Sequence, residues 1–314
     1  MLKFLGFAVK VQLNVHDLNN EAVAGNVTDI RLMEFIDEAG EKREAPAVSG
    51  RMLKHWHYEA MRNLINNGSY TLPLCDACKV GEPIRPARLK DSKLNQISPS
   101  EDEALTSCCI CDVHGYLIAQ AREGAGVSVR RSSRAMFSWL MPVLEAGQGQ
   151  KQVVHTRVSQ QEEVAKGEGA AQMIFNKSYA SGIYAFVSAL DISRIGLIEL
   201  NLGSKNPYAI DDTSRAERIK VSIEAYRELI SGKMGASLSH AIPHGNPLEI
   251  LIAYSEEGSL PFPVSPIYSD YIEKTKGIMP EHATLLYWAK EKVEDGLTFK
   301  TTIKEIFEEL LSKV

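Results

Sequence analysis

All five cysteines of this 314-residue chain lie in two short stretches, and this pattern constrains the fold more than any other feature. Cys75 and Cys78 are spaced C-x-x-C, and Cys108 and Cys111 repeat that spacing after a 29-residue spacer. Four thiolates suit tetrahedral zinc, although the spacer is longer than that of a usual zinc ribbon. A four-cysteine site leaves no open position for water. We therefore expect a structural zinc ion that ties together both ends of an insertion.

Alternatives for these cysteines stay open at the level of sequence. Cys109 is a fifth candidate ligand, and His114 could replace one thiolate. The thiols could also be plain reduced cysteines or have a redox role. A catalytic cysteine needs a partnering base, and clustering suits metal ligation better. In a cytoplasmic protein the thiols stay reduced, which disfavours a disulfide.

The hydrophobic segments predict no membrane helix, because no run of about 18 apolar residues occurs. The first residues, MLKFLGFAVKVQLNVHD, are apolar, but Lys10, Gln12 and Asn14 interrupt them and no extended basic region precedes them. This pattern indicates a strand and not a secretory signal. We therefore expect a cytoplasmic protein.

Charge is unevenly distributed along the chain. The net charge of −5 argues weakly against a bulk nucleic-acid binder. Residues 51–93, however, have eight Lys and Arg against four Asp and Glu, and residues 122–157 have six against two. Residues 255–314 have seven against eleven. The basic middle predicts a local anion-binding surface. The alternative is two basic faces that simply contact solvent.

Hydrophobic periodicity predicts six core elements. Residues 7–16 alternate with period two, which indicates a half-buried strand, and residues 49–65 have the period of a helix. Further along come a strand from 132, a strand over 182–192, a helix over 211–232 with a Ser214–Glu217 capping box, and a strand over 248–255. The order β-α-β-β-α-β predicts an α+β fold with a ferredoxin-like or RRM-like palm.

The remaining segments are predicted to be insertions into one domain spanning 1–314. The palm comprises 1–65, 127–145 and 181–255. The other parts are a finger insertion over 66–126, a thumb hairpin over 146–180, and a helical C-terminal tail over 256–314.

Several basic segments are candidate anion sites. The helix beginning near Ser49 has unpaired backbone N–H groups at its N-terminus, and Arg51 and Lys54 add positive charge there. His55 and His57 are two residues apart on this helix, so they form a poor metal pair. The glycine-rich stretch GKMGAS contains Lys233 but lacks the spacing of a nucleotide-hydrolase loop.

Other candidates lie on predicted strands. Arg130, Arg131 and Arg134 precede or begin the second strand, and the first strand has Lys10 on its polar face. The two arms of the thumb hairpin contain His155 and Arg157, and Met173 and Phe175. An exposed apolar pair could insert between bases. No Ser-His-Asp arrangement, H-E-x-x-H or G-x-G-x-x-G motif is convincing, and the aromatic stacking motif of an ordinary RRM is missing.

In combination, the first strand, VSGRMLKHWH, RRSSRAMFS, the long hairpin and GASLSHAIPHG resemble the Cas-seven (DevR-type) family. Its members are CRISPR RNA-binding backbone subunits of type I Cascade complexes, and the type I-A branch is most similar. The resemblance implies a non-catalytic protein of antiviral defence. It would oligomerise along a guide RNA (crRNA), assemble with other Cascade subunits, and meet target DNA through the guide.

The resemblance also assigns residues. It implies backbone contacts to the guide at the helix head and the glycine-rich loop, RNA proximity for His155, and a thumb wedge at Met173 and Phe175. With the basic candidates above, the predicted RNA-binding set is Lys10, Ser49, Gly50, Arg51, Lys54, His55, Arg130, Arg131, Arg134, His155, Arg157, Met173, Phe175, Lys233, Gly235, Ala236 and Ser237. The cysteines lie in the variable finger, so zinc is a prediction from this sequence alone.

Two other function classes remain. The first is a metal-dependent RNA endonuclease of the type III backbone kind, for which Asp29 is the nearest candidate acid. The second is a regulator or adaptor that binds no RNA.

Overall fold

A ten-stranded mixed sheet forms the centre of the chain. The computed structural model describes residues 1–18, 22–24, 27–37, 39–120, 127–143, 148–157, 173–234, 242–290 and 296–314. In chain order the elements are β1 (Phe4–Asn14), β2 (Ala22–Ala24), β3 (Val27–Asp29), β4 (Leu32–Ile36), β5 (Lys42–Pro46), α1 (Gly50–Asn66), α2 (Asp76–Val80), β6 (Ala87–Lys90), β7 (Lys93–Gln96), α3 (Glu101–Ser107), α4 (Cys109–His114), β8 (Tyr116–Gln120), β9 (Val127–Arg131), β10 (Ala135–Phe137), β11 (Met141–Pro142), β12 (Gln148–Arg157), β13 (Met173–Asp191), α5 (Asp212–Ile230), β14 (Asn246–Ser255), α6 (Tyr271–Ile278), β15 (Thr284–Ala289), β16 (Thr298–Phe299) and α7 (Ile303–Ser312).

Strand β1 lies between β14 and β13 and pairs antiparallel with both. Strands β10, β11 and β12 all pair antiparallel with β13, and β15 continues the sheet beyond β14. The β15–β16 and β3–β13 pairs are parallel, so the sheet is mixed. The C-terminal tail, predicted to be helical, therefore also adds two strands to the sheet.

The alternation predicted for the first strand is present from Val9 onward, whereas Ala8 on the predicted polar face is buried in a second apolar cluster with Leu251 and Tyr271. Phe7, Val9, Val11 and Leu13 are at most 3% exposed. On this face the ring of Phe7 stacks on that of Tyr226 from α5, with centroids 4.2 Å apart. Burial of each large apolar side chain contributes about 1.5–3 kcal/mol, so this face is the main core.

Helices α1 and α5 pack against each other beside this core. Gly50 begins α1 at a close approach, since a Cβ there would lie 2.4 Å from the carbonyl oxygen of Phe137. Helix α5 begins one turn earlier than the predicted capping box. Asp211 is its N-cap and accepts a 2.7 Å hydrogen bond from the Ser214 backbone N–H, so the Ser214–Glu217 box is wrong.

The insertion contains three short helices, α2, α3 and α4, and two hairpins, β6–β7 and β8–β9. Strand β9 pairs with β8 and with no other described strand. The boundary drawn at 126 from the sequence therefore falls inside a hairpin of the insertion. We refer to residues 66–131 as the finger.

Beyond the end of β1, residues 173–182 of β13 pair with β12 and form a ribbon, whose β13 edge also pairs with the short strand β3 at residues 176–177. Residues 148–157 of β12 pair with residues 173–182 of β13 without a register shift. The same 19-residue strand then continues into the sheet, where it pairs with β1. The ribbon corresponds to the predicted thumb hairpin. Separately, none of the described helices is both long and apolar enough to cross a membrane.

Candidate nucleic-acid interface and metal centre

The N-terminal turn of α1 carries positive charge on its solvent-facing side. Arg51 and His55 are exposed, and no acidic residue lies in the first turn of this 17-residue helix. Lys54 is partly buried, and its burial together with nearby Arg85 lowers its pKa to about 8. The free N–H groups and the helix dipole add to the field of Arg51, so this turn can bind a phosphate. Gly50 itself is buried and has a packing role there.

Lys10 is not a free cation. Its Nζ lies 2.8 Å from Oε2 of Glu249 on the adjacent strand, and it stands over the Tyr271 ring at 5.4 Å from the centroid. Lys10 therefore stays a predicted RNA contact whose charge is already paired within the sheet.

Arg131 and Arg134 are corrected, because both side chains are 1% exposed and ion-paired in the interior. Arg134 Nη2 lies 2.7 Å from Glu199 Oε1. Arg131 lies 2.6 Å from both Glu101 Oε1 and Asp112 Oδ1. Arg130, by contrast, is exposed and stays a candidate.

Asp112 is the centre of this buried ionic cluster. Its carboxylate is fully buried and accepts from the guanidinium groups of Arg131 and Arg218, at 2.6 and 2.8 Å. The backbone N–H of Gly196 donates to both of its oxygens, at 3.0 and 2.9 Å. Because Arg131 belongs to the finger and Arg218 to α5, the cluster joins the finger to the helix layer. The sequence analysis did not identify it.

The ribbon places the remaining thumb candidates side by side along the backbone. His155 is directly opposite Phe175, and Arg157 is directly opposite Met173. The register therefore pairs the predicted RNA contacts of one arm with the predicted wedge residues of the other.

Lys233 follows α5 and is exposed, with its Nζ 2.8 Å from Glu228 Oε2. Exposed ion pairs of this kind are weak, so Lys233 can exchange its partner for a phosphate. The predicted loop contacts Gly235, Ala236 and Ser237 lie outside the described residues.

The four predicted zinc ligands converge. The Sγ atoms of Cys75, Cys78, Cys108 and Cys111 all lie within 4.8 Å of one another, and all four residues are buried. Cys111 Sγ lies 3.9 Å from Cys75 Sγ and 4.0 Å from Cys78 Sγ. Sulfurs around tetrahedral zinc are about 3.8 Å apart, whereas a disulfide needs about 2.05 Å. The donor set and its spacing therefore fit a divalent metal.

The two alternative ligands are elsewhere. Cys109 lies outside the cluster and is fully buried in the apolar core, where burial raises the pKa of its thiol. His114 Nε2 lies 3.0 Å from Nδ1 of His57 instead. The ligand set that the structure favours is thus the two C-x-x-C pairs.

The His57–His114 pair was not expected from the sequence, because its members are 57 residues apart. His57 Nε2 lies 3.0 Å from the Ser222 carbonyl oxygen, which only accepts, so this nitrogen donates. In neutral His57, Nδ1 must then accept from His114 Nε2–H. Burial lowers the pKa of His57 to about 3 and that of His114 well below its usual range, so both rings are neutral at pH 7.

Relatives of the chain extend over its full length. A protein of Methanocaldococcus jannaschii described as "CRISPR-associated protein Cas7/Cst2/DevR" is 29% identical, and the alignment covers 99% of this chain and 98% of that protein. A protein of Saccharolobus solfataricus described as "CRISPR-associated aCascade subunit Cas7/Csa2 2" is 24% identical over 95% of this chain and 97% of its own.

Solved structures show a similar fold. A chain of a "CRISPR RNA-guided surveillance complex" superposes with a TM-score of 0.53 and 11% identity, covering 98% of both chains. A chain of a "CRISPR RNA-guided surveillance complex, pre-nicking" superposes with a TM-score of 0.55 and 12% identity, and the match covers 98% of this chain and 99% of that chain. The profile of "CRISPR-associated negative auto-regulator DevR/Csa2" matches residues 7–276. The chain therefore belongs to the DevR/Csa2 family of CRISPR-associated proteins.

Proposed function

We propose that the chain is a non-catalytic RNA-binding backbone subunit of a type I-A Cascade complex. Copies would oligomerise along one guide RNA in the cytoplasm, contact the other Cascade subunits, and support recognition of target DNA in antiviral defence. The full-length relative named an aCascade subunit supports this assignment, and the fold shared with chains of RNA-guided surveillance complexes is consistent with it.

The structural observation that supports RNA binding most directly is the exposed Arg51 at the first turn of α1. A sequence-independent scaffold must bind phosphates, which every guide shares, and leave the bases free to pair. Arg51, the helix N-terminus and nearby Lys54 provide phosphate contacts without an aromatic platform.

We further propose that the four strands β14, β1, β13 and β10, with α1 and α5 on one face, form the RRM-like palm. The ribbon of β12 and β13 is then the thumb, and Met173 and Phe175 lie on the arm predicted to contact a neighbouring copy or the guide. A structural zinc ion bound by the four cysteines would hold the finger in shape. The zinc ion would join the four thiolates through Zn–S bonds and would take part in no reaction.

RNA retention tests the RNA-binding proposal. The native chain should co-purify with RNA of uniform length. An Arg51→Gln, Lys54→Gln variant should lose at least tenfold in affinity for that RNA. A Lys290→Gln, Lys304→Gln variant loses the same charge at exposed positions and serves as the control. Equal affinity in the two variants would remove the helix-head assignment.

The absence of catalysis is tested with magnesium and RNA complementary to the guide. We expect no cleavage. Cleavage that disappears in Asp29→Ala would establish the endonuclease alternative. Asp29 is the last residue of β3.

The regulator is a second candidate, because the matching family description includes the words negative auto-regulator. It predicts sequence-specific binding of the guide-free protein to DNA upstream of its own gene. Binding that is equal for this DNA and a scrambled duplex would exclude that role.

A further inference from the structure

Two short helices of the finger each carry two of the predicted metal ligands. Cys75 is the N-cap of α2 and Cys78 lies within it, whereas Cys108 is the N-cap of α4 and Cys111 lies within that helix. The Cys111 backbone N–H donates to Cys108 Sγ at 3.4 Å. Each C-x-x-C pair therefore belongs to the first turn of a helix, and a metal bound by all four sulfurs would join the two helices.

Both of these helices pack against α1. On the α2 side, the Lys79 carbonyl oxygen accepts from Asn66 Nδ2 at 2.9 Å and from Arg62 Nη1 at 3.3 Å. On the α4 side, His114 Nε2 lies 3.0 Å from His57 Nδ1. A metal that fixes α2 relative to α4 would therefore fix the two finger elements that contact α1.

Arg85 extends this junction toward the first turn of α1. Its guanidinium group lies over the Tyr58 ring, 5.0 Å from the centroid, and its Nε donates to the Gly115 carbonyl oxygen at 3.0 Å. Tyr58 is four residues after Lys54, so the two side chains share one face of the helix. Burial and the nearby charge of Arg85 lower the pKa of Lys54 to about 8. The finger thus adds a positive charge beside the predicted phosphate contact.

The position of Arg85 depends on how well the finger is ordered. The two C-x-x-C pairs are separated by 29 residues, and the whole finger has only 66. A single core of that size rarely suffices without a metal or disulfides, and the binding free energy of a structural metal contributes to folding. Loss of the metal would loosen α2 and the segment with Arg85. Asp112 would still attach α4 to Arg218 of α5.

We propose that the four-cysteine site is an effector site for guide binding, at which zinc raises the RNA affinity of the first turn of α1 through Arg85. The inference rests on the proposed RNA-binding function. The two sites are distinct, since the cysteines are buried in the finger and Arg51 is exposed on α1. In the metal-bound state Arg85 is fixed beside Lys54, and in the metal-free state it is not. Linkage then requires RNA to raise the zinc affinity by the same factor.

The test measures both directions of this linkage on the unmutated chain. RNA affinity is compared between zinc-loaded and chelator-treated protein, with a guide-length single-stranded RNA. Zinc affinity is measured by competition with a chromophoric chelator, with and without saturating RNA. Couplings between sites are commonly about 5- to 150-fold, so we expect both affinities to change by one factor of at least about fivefold. Equal RNA affinities of the two forms, or a zinc affinity that RNA leaves unchanged, would overturn the proposal.

An Arg85→Gln variant tests the route. Arg85 is not a ligand, so the variant should keep its zinc, but its loaded and metal-free forms should differ less in RNA affinity than those of the native chain. Arg88→Gln is the matched control, because it removes one exposed positive charge from the same finger and should keep the native coupling factor. Equal coupling factors in the two variants would exclude Arg85 as the route.

Circular dichroism guards against a trivial loss of binding. Chelator-treated protein should keep its helix and sheet signals, because the loosening is confined to the finger. Loss of these signals would mean that the metal holds the entire chain together, which contradicts the proposal. If the zinc-loaded chain binds no guide RNA, the RNA-binding function is wrong and this inference fails with it. Equal binding by both forms removes the coupling alone.

Discussion

Arg218 of α5 places its Nη1 2.8 Å from Oδ2 of Asp112 in the finger, with both side chains at most 1% exposed. Asp112 directly follows Cys111, a predicted metal ligand. The ionic contact that attaches the finger to the helix layer is thus one residue from the four-cysteine cluster of the finger.

Replacing Asp112 by Ala should destabilise the chain by about 3–5 kcal/mol, because the buried guanidinium of Arg218 loses its counter-charge and that of Arg131 keeps only Glu101. Urea denaturation measures the change. Glu308→Ala is the matched control, because its i,i+4 pair with Lys304 is exposed and contributes less than about 1 kcal/mol. Equal effects of the two substitutions would show that the cluster does not anchor the finger.

Metal analysis should find one zinc ion per chain, and chelation should lower the thermal midpoint. Cys111→Ser should abolish the bound metal, since it removes one of four ligands. Cys109→Ala should keep the metal, because Cys109 is a core residue outside the cluster. Metal lost from Cys109→Ala and retained in Cys111→Ser would reverse the ligand assignment.

RNA affinity should fall as pH rises from 7 to 9 at constant salt. The pKa of Lys54 is lowered to about 8, so the side chain is mostly charged at pH 7 and mostly neutral at pH 9. One charge contact at a partly exposed side chain contributes about 0.2–1 kcal/mol, so the expected loss is up to about fivefold. Lys54→Arg keeps its charge at pH 9 and should flatten the profile. An unchanged fall in that variant would refute the role of Lys54.

The buried histidine pair should make stability depend on pH in the acid range. Burial lowers both pKa values from the usual 6.5. Between these pKa values and 6.5, the histidines therefore bind protons in the unfolded chain but not in the folded chain. Stability is therefore complete above about pH 6.5 and falls toward pH 3, by up to about 1.4 kcal/mol per pH unit for each ring.

The carboxylates also make stability depend on pH. The contribution of the histidines is therefore the difference between the native chain and a His57→Gln, His114→Gln variant in the slope of unfolding free energy against pH. Urea unfolding at pH 6 and pH 5 gives both slopes. Parallel slopes would mean that the rings are protonated in the folded chain.

The sequence predicted the structural features that depend on residues close together in the chain. The alternation of the first strand, the helix at 49–65 and the cysteine spacing all reappear, because periodicity and chain proximity dictate them. Arg131 and Arg134 were misassigned because their partners Asp112 and Glu199 are 19 and 65 residues away. A sequence shows the sign of a charge but not which distant acid neutralises it. For the same reason the sequence did not predict the contact between His57 and His114.

The continuity of β13 has a mechanical consequence. Ten paired residues at about 3.4 Å each make the ribbon about 34 Å long, comparable to the width of a small domain. Its base is not a hinge, since the same strand passes straight into the sheet between β1 and β10. The ribbon is thus supported at its base by the continuous strand β13, and β3 pairs with β13 further out at residues 176–177. A force applied at the outer end of the ribbon would be transmitted to the strand that pairs with β1, and the sheet would bend as one piece with the thumb.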